Sequence, residues 1–373
     1  MTEKRAYLHE IDAVRGLLMA LGIVLHAANP YAPNQHWLLL DAQKSLMLGQ
    51  LADLVHLFRM PAFFIIAGFF SAIGLSRSPR AAYLRKRAVR LVLPLLVALV
   101  VFNVPQNVFL AWWQQTRCPA SDGSCAVNLV PGAWISHLWF LVYLVGYTLL
   151  LAAFWGLVAR LLDAIRLARR PPGPAAIVIL TIASTAVAGV AIAAAARAMP
   201  ILYIDIAGFL TPSKFLFYGA FFAVGVATAA RGFDRDCLMF PSRRRWAAAG
   251  VAALVLVAVG TLSPDGTGLV ARIAAVFTES AWRAVSALVA IWLLVYLFRD
   301  PNPACRRLAD ASYTVYLLHH VCIIVIGAFL TTVDLPAAVK FLCNVTVTLA
   351  ICLVVHDRLV APHRYVRLAL NGA

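Results

Sequence analysis

Long apolar runs recur along this chain of 373 residues and constrain its fold more than any other feature. Hydrophobic residues make up 62% of the sequence and charged residues only 13%, which argues against a water-soluble globular domain. A helix needs about 20 apolar residues to cross the roughly 30 Å hydrocarbon core of a bilayer. Ten runs fall in this range, at residues 11–29, 51–75, 88–111, 134–159, 175–196, 213–230, 246–262, 281–298, 312–332 and 338–357. The sequence therefore predicts an all-α, polytopic membrane helix bundle with about ten transmembrane helices.

The placement of Lys and Arg favours a lipid bilayer over nucleic acid as the partner, although the formal net charge is +16. With the N-terminus on the inner side, 23 of the 32 Lys and Arg residues fall in the predicted inner segments and six in the outer ones. Such an excess is typical of cytoplasmic loops. We therefore predict a multi-pass membrane protein with both termini in the cytoplasm. No polar interruption is long enough for an appended soluble domain, so residues 1–373 are predicted to form a single membrane domain.

Two of the seven cysteines, Cys118 and Cys125, share one predicted outer loop. An oxidising compartment outside the membrane would allow a disulfide between them, and two free thiols are the alternative.

The first apolar run carries polar residues along one helical face. Arg15 and His26 are eleven residues apart, only about 20° from three full turns, and about 16 Å apart along the helix axis. Asp12, Gly22 and Asn29 fall near the same stripe. Ionisable residues within a span are costly and face a bundle interior or a wet cavity, which makes this stripe a candidate functional site. A simpler interpretation is that Asp12 and Arg15 pair at the interface while His26 bonds a neighbouring helix.

Further titratable residues lie at the predicted outer ends of the second and fourth runs. Asp53, His56 and Arg59 follow one another at intervals of three and cover one broad helical arc, where Asp53 could orient His56. An interfacial ion pair between Asp53 and Arg59 is equally compatible with the spacing. His137 and Trp139 open the fourth run, and a Trp at this position is ordinarily an interface anchor.

The ninth run places two adjacent histidines near mid-membrane. Ser312, Tyr316 and His319 form one stripe, and Tyr313 with His320 forms a parallel one. Because adjacent side chains point about 100° apart, we expect one imidazole to line a shared cavity and the other to bond a helix.

A basic inner segment precedes the third run. Most of its cations suit membrane topology and anionic lipid, but Arg87 and Arg90 are three residues apart and would share a face suitable for binding phosphate. Glu279 and Arg283 lie at the predicted outer end of another run. The ligand spacings typical of metal sites are missing, and neither a Ser-His-Asp triad nor a Gly-rich phosphate loop can be assembled, so no metal is predicted.

Several motifs resemble those of the membrane family called acyltransferase three. They are Arg15 followed by ten residues and His26, the FRMPAFF run with Gly68 after it, the RKRAVRLVLP entry to the third run, and the YLLHH run at residues 316–320. DAVRGLLM, HLFRM, SHLWFL, TES and ASYTVYLLHH more closely resemble the branch that succinylates osmoregulated periplasmic glucans. Ala67 stands where the family often has Ser, and we assign it no role.

The resemblance implies an O-succinyltransferase that takes succinyl-CoA as its cytoplasmic co-substrate and a periplasmic β-glucan as its acceptor. Carried over by motif, His26 is the general base, and Arg15, Arg87 and Arg90 contact CoA. As an accompanying hypothesis, Asp53 or Glu279 orients an imidazole, His56 is a further candidate catalytic residue, and His319 stabilises the oxyanion. His137, Trp139 and His320 would line the acceptor site, and Arg59 or Arg283 would hold the succinyl carboxylate.

Two alternatives remain open at this point. A secondary transporter or polysaccharide exporter could use the same polar stripes, although little suggests inverted repeats or broken helices. An acetyltransferase acting on another surface glycan would share the motifs.

Overall fold

The computed structural model describes most of the chain, namely residues 9–33, 37–117, 125–127, 134–167, 176–229, 243–262, 268–298, 300 and 302–372. Helices dominate these residues. In chain order they are α1 His9–Ala28, α2 Leu46–Ser76, α3 Arg80–Arg87, α4 Leu93–Ala98, α5 Val104–Arg117, α6 Trp139–Ala153, α7 Trp155–Leu167, α8 Ala176–Ala198, α9 Pro212–Ala229, α10 Arg243–Leu262, α11 Leu269–Leu297, α12 Pro303–Thr331, α13 Ala337–Val355 and α14 Arg364–Asn371.

Shorter segments connect or extend these helices. Five-residue π-helical segments at Ala88–Val92 and Leu99–Asn103 join α3, α4 and α5 into one long helix, and a third, His356–Val360, extends α13. Short 3-10 helices are formed by Asn29–Tyr31, Ser136–Leu138 and Pro200–Tyr203. The third predicted transmembrane run is thus helical throughout, but two π-helical segments interrupt its α-helical spacing.

Eight helical stretches among the described residues are long and apolar enough to cross a membrane. They are Ala13–Tyr31, Leu46–Ser76, Arg80–Thr116, Ser136–Ala153, Val178–Ala198, Leu269–Leu297, Pro303–Thr331 and Ala337–Val360. The predicted all-α, polytopic helix bundle is confirmed. The two other predicted spans, at 213–230 and 246–262, also fall on helices, α9 and α10, which are not among the eight.

Two compact units divide the chain, each assembled from separate stretches of sequence. The first unit comprises Met1–His56, Leu93–Leu138 and Leu294–Ala373, and the second comprises Leu57–Val92 and Trp139–Leu293. In the first unit α1 packs along α12, and α12 packs along α13. A Cβ atom on Gly16 would lie 2.9 Å from the backbone nitrogen of Ala309, so glycine is what allows α1 and α12 to approach this closely.

The first unit also contains a small antiparallel ribbon. Strand β1, Leu39–Asp41, follows α1, and it pairs with strand β2, Cys125–Val127, in the register Asp41 to Cys125. The ribbon departs from the purely helical expectation but is only three residues long on each side. The predicted disulfide between Cys118 and Cys125 involves a residue outside the described ones and stays a prediction.

In the second unit, α2 and α9 cross with their backbones in contact. A Cβ on Gly68 would lie 2.0 Å from the carbonyl oxygen of Phe222, and one on Gly225 would lie 1.9 Å from that of Ile65. Small residues let membrane helices approach in this way, and dispersion contacts then replace the hydrophobic driving force that lipid does not supply. Aromatic rings extend the packing around Phe64, whose centroid is 5.0 Å from that of Tyr218.

We expect Gly68→Ala to destabilise the protein, because the added methyl group overlaps a backbone carbonyl and must push α2 from α9. Overpacking of this kind costs about 1–3 kcal/mol, which should lower the thermal unfolding midpoint of the purified protein in detergent by several degrees. Gly250→Ala is the matched control, since nothing lies within 4 Å of a Cβ there. Equal midpoints for the two variants would contradict the proposed close crossing.

Candidate active site

His26 lies near the end of α1, with rings of three other residues around it. The indole of Trp37 stacks on the imidazole of His26 with a centroid distance of 5.0 Å and an interplanar angle of 16°. The rings of His319 and His320 lie 5.4 Å and 5.2 Å from it. Three predicted site residues from two helices, His26, His319 and His320, thus come together within the first unit.

His137 completes this group from the 3-10 turn that precedes α6. Its ring stacks on that of His320 at 4.7 Å with an angle of 14°, and its centroid is 4.9 Å from that of His319. We call His26, His137, His319 and His320 the histidine cluster. The described part of the chain contains no group of three or more potential ligands arranged to hold a metal ion.

Hydrogen bonds to the backbone fix two members of the histidine cluster. The Nδ1 of His319 donates to the carbonyl oxygens of Val315 and Tyr316, at 2.9 and 2.8 Å, since a carbonyl can only accept. The neutral ring then carries its lone pair on Nε2. The hydroxyl of Tyr316 donates to the carbonyl oxygen of His137 at 2.9 Å and so fixes the turn that carries His137.

Both ring nitrogens of His320 have side-chain neighbours. The Oε1 atom of Gln106 is 2.7 Å from Nδ1, and the hydroxyl oxygen of Ser136 is 3.1 Å from Nε2 and 3.3 Å from Nδ1. His319 and His320 are 0% and 1% exposed. We expected one of these two imidazoles to line a shared cavity and the other to bond a helix. His319 does bond its own helix, but the rings of both residues lie beside that of His26.

A loop between α1 and α2 holds Trp37 over His26. Its anchor is a buried ion pair in which the Nζ of Lys340 lies 2.8 Å from the Oδ2 of Asp41, with side chains only 3% and 2% exposed. The same carboxylate accepts from the backbone nitrogen of Gln43 at 2.8 Å, and the Nζ of Lys44 donates to the carbonyl oxygen of Pro30 at 3.1 Å. This loop is therefore tied to α13, to itself and to the end of α1.

The remaining predicted residues of the first unit lie on exposed surfaces of its helices. Arg15 is exposed on α1, which continues without a break to His26. Asp53 and His56 are both exposed on the first part of α2. The side chain of Asp12 lies outside the described set.

In the second unit, two predicted cationic positions have defined partners. The Nη2 of Arg87 donates to the hydroxyl of Ser71 at 3.2 Å, and its guanidinium lies 5.3 Å from the ring centroid of Tyr83. Arg90 is exposed and belongs to the π-helical segment, so the α-helical spacing that we used to place Arg87 and Arg90 on one face does not apply there. Wide turns of this kind are frequent at functional sites.

The other predicted residues of the second unit are paired or packed. Glu279 and Arg283, to which we gave separate roles, form an ion pair one turn apart on α11, at 2.8 Å. Arg59 is only 4% exposed, and its guanidinium lies 5.7 Å from the ring centroid of Phe63. Trp139 packs against Tyr143 at 4.9 Å, which agrees with the structural role of a Trp at that position.

Three neighbours of the histidine cluster were missed from the sequence, namely Trp37, Gln106 and Ser136. Trp37 is in a loop, where no helical spacing relates it to His26. Gln106 offered a weak signal, because it is an amide inside a predicted span, and Ser136 directly precedes a predicted site residue. All three residues join the site through contacts with His320, which is distant from each of them in sequence.

Comparisons with known proteins identify the family of the chain. A family described as an acyltransferase domain matches residues 8–357. Relatives named Glucans biosynthesis protein C from Salmonella heidelberg (strain SL476), Salmonella schwarzengrund (strain CVM19633) and Salmonella enteritidis PT4 (strain P125109) are each 27% identical over 364 residues, which cover 93% of this chain and 90% of each relative. No solved structure matches the chain. The chain belongs to this acyltransferase family, and the predicted membership is confirmed.

We expect Lys340→Met to destabilise the protein strongly, because the Asp41 carboxylate would remain buried without its cation. Breaking a buried pair from one side costs about 3–5 kcal/mol, whereas removing both charges is often tolerated. Thermal unfolding in detergent should therefore show a low midpoint for Lys340→Met and partial recovery for the double variant Asp41→Asn with Lys340→Met. A double variant no more stable than the single one would show that the ion pair is not what anchors this loop.

Proposed function

We propose that this protein transfers an acyl group, most specifically succinyl, from cytoplasmic acyl-CoA to a hydroxyl of a periplasmic glucan. The observation that carries the proposal is the histidine cluster, in which His26 contacts His319, His320 and Trp37. Imidazoles gathered inside a membrane bundle are costly unless they serve a reaction or a transport path. Membership of the acyltransferase family favours the reaction over transport or polysaccharide export.

His26 acts as the general base in this proposal. It removes the proton from a glucosyl hydroxyl as the oxygen attacks the carbonyl carbon of the thioester, and the carbonyl electrons move onto oxygen. The tetrahedral intermediate then collapses, the carbon–sulfur bond breaks, and the CoA thiolate takes the proton back from the His26 imidazolium. A route through an acyl-histidine intermediate is the competing order of the same bond changes.

The donor would approach from the inner side of the membrane. Arg15 stands about 16 Å from His26 towards the inner end of the same helix, where phosphates of a donor whose thioester reaches His26 would lie. Arg87 and Arg90 are proposed to contact CoA phosphates as well, since an Arg guanidinium suits phosphate geometry. Arg59 or Arg283 is proposed to hold the succinyl carboxylate, since a guanidinium suits a carboxylate.

The proposed acceptor rests on the relatives, and the proposed membrane location rests on the charge pattern. The relatives' printed name refers to glucan biosynthesis, which supports a glucan acceptor. The excess of Lys and Arg in predicted inner segments supports the bacterial inner membrane with both termini in the cytoplasm.

Replacing His26 by Ala should abolish acyl transfer, because no base would then remove the hydroxyl proton. General acid–base catalysis contributes about 10²–10⁴-fold, so we expect a loss of that size in thiol release from succinyl-CoA in the presence of glucan. His363→Ala is the matched control, since His363 is exposed, directly precedes α14 and bonds the carbonyl oxygen of Leu359. Wild-type levels of succinylated glucan from a well-inserted His26→Ala protein would defeat the assignment.

Replacing Arg87 by Gln should raise the KM for acyl-CoA and leave kcat less affected, since a phosphate contact is uniform in ground and transition states. Arg364→Gln is the matched control, an exposed cation on α14 with no proposed role.

The same assay with acetyl-CoA in place of succinyl-CoA tests the identity of the acyl group. A higher kcat/KM for acetyl-CoA than for succinyl-CoA would favour an acetyltransferase, and thiol release independent of any acceptor would count against transfer to glucan.

A further inference from the structure

Gln106 is a buried amide of α5, and only one of its two polar side-chain atoms has a hydrogen-bond partner. The side chain is 1% exposed, and its Oε1 atom lies 2.7 Å from the Nδ1 of His320. Its Nε2 atom has no hydrogen-bond partner among the described residues. A buried donor without an acceptor costs about 1–3 kcal/mol, so such atoms call for an explanation.

The contact with His320 fixes the direction of the amide. An amide oxygen cannot donate, so the Nδ1 of His320 carries the proton and Gln106 accepts it. The hydroxyl of Ser136, 3.1 Å from Nε2, then donates to the other ring nitrogen. Because Oε1 is committed to His320, the Nε2 of the same amide stands beside the histidine cluster with its two N–H groups available.

The turn that carries Ser136 is also held by the π-helical segment that precedes α5. The Nδ2 of Asn103, one turn before Gln106, donates to the carbonyl oxygens of Trp134 and Ile135 at 2.8 and 2.9 Å. Ser136 itself adopts φ 51°, a left-handed conformation that is strained for a residue with a side chain. Strained backbone persists where surrounding contacts enforce it, and it is concentrated at functional sites.

We propose that Gln106 is a catalytic residue whose Nε2–H donates to the oxyanion of the tetrahedral intermediate. The proposal rests on the acyl transfer proposed above. When the acceptor oxygen bonds to the thioester carbon, negative charge appears on the former carbonyl oxygen, and a donor already fixed in a dry site stabilises it without reorganisation. Collapse of the intermediate restores the carbonyl, expels the CoA thiolate and frees the Gln106 donor again.

The test separates this role from a purely positioning one. Gln106→Glu keeps an oxygen that accepts from His320 but removes the donor and places negative charge near the oxyanion. We expect kcat for succinyl-CoA-dependent thiol release in the presence of glucan to fall by about 10²–10³-fold, as for loss of one oxyanion donor, with the KM for succinyl-CoA nearly unchanged. A residue that only orients His320 would be replaced well by a carboxylate, so a kcat within threefold of wild type would overturn the proposal.

Two further variants keep the experiment decisive. Gln106→Met has a similar size and no charge, so it tests loss of the donor if Gln106→Glu does not fold, and wild-type kcat from it would equally overturn the proposal. Gln50→Glu is the matched control on an exposed surface of the same unit, with kcat expected to be unchanged. If the wild-type protein itself releases no thiol, the acyl-transfer function fails and this inference fails with it. An active wild-type protein and an active Gln106→Glu would defeat the inference alone.

Discussion

Polar groups buried inside a membrane bundle must find partners within the protein, because lipid offers them none. The first unit packs four imidazoles against one another, and it provides backbone carbonyls and two side chains as hydrogen-bond partners for His319 and His320. The Nδ1 of His319 donates to a carbonyl oxygen of its own helix, and the two ring nitrogens of His320 bond Gln106 and Ser136. These hydrogen bonds fix the tautomers of His319 and His320, the two imidazoles that lie against His26.

Close helix packing gives these contacts their geometry. Gly16 lets α1 lie against α12, and this brings the ring of His26 to those of His319 and His320. A larger residue near position 16 would move one helix away from the other, and ring distances of about 5 Å would not survive that shift. The positions of small residues in these helices are therefore part of the site, although none of them carries chemistry.

The sequence predicted those parts of the molecule that depend on local spacing and apolarity. The helical class and the candidacy of His26, His137, His319 and His320 followed from runs, periodicity and motif order. Pairings across the fold could not be read this way: Trp37 comes from a loop, Gln106 meets a residue 214 positions later, and Ser136 meets one 184 positions later. The π-helical segment containing Arg90 also escaped prediction, because composition does not distinguish it from α-helix, and it altered the assumed face of Arg87 and Arg90.

The loop that seats Trp37 depends on a residue made late in synthesis. Asp41 lies near the start of the chain, while its partner Lys340 lies 299 residues further along. Until α13 has been translated and inserted, the Asp41 carboxylate lacks its buried ion-pair partner. The indole of Trp37 can therefore settle on His26 only after the last long helix has arrived, so a nascent or truncated chain would hold its histidines without their covering ring. A protease that removes such a fragment would therefore remove a chain whose candidate active site has not yet formed.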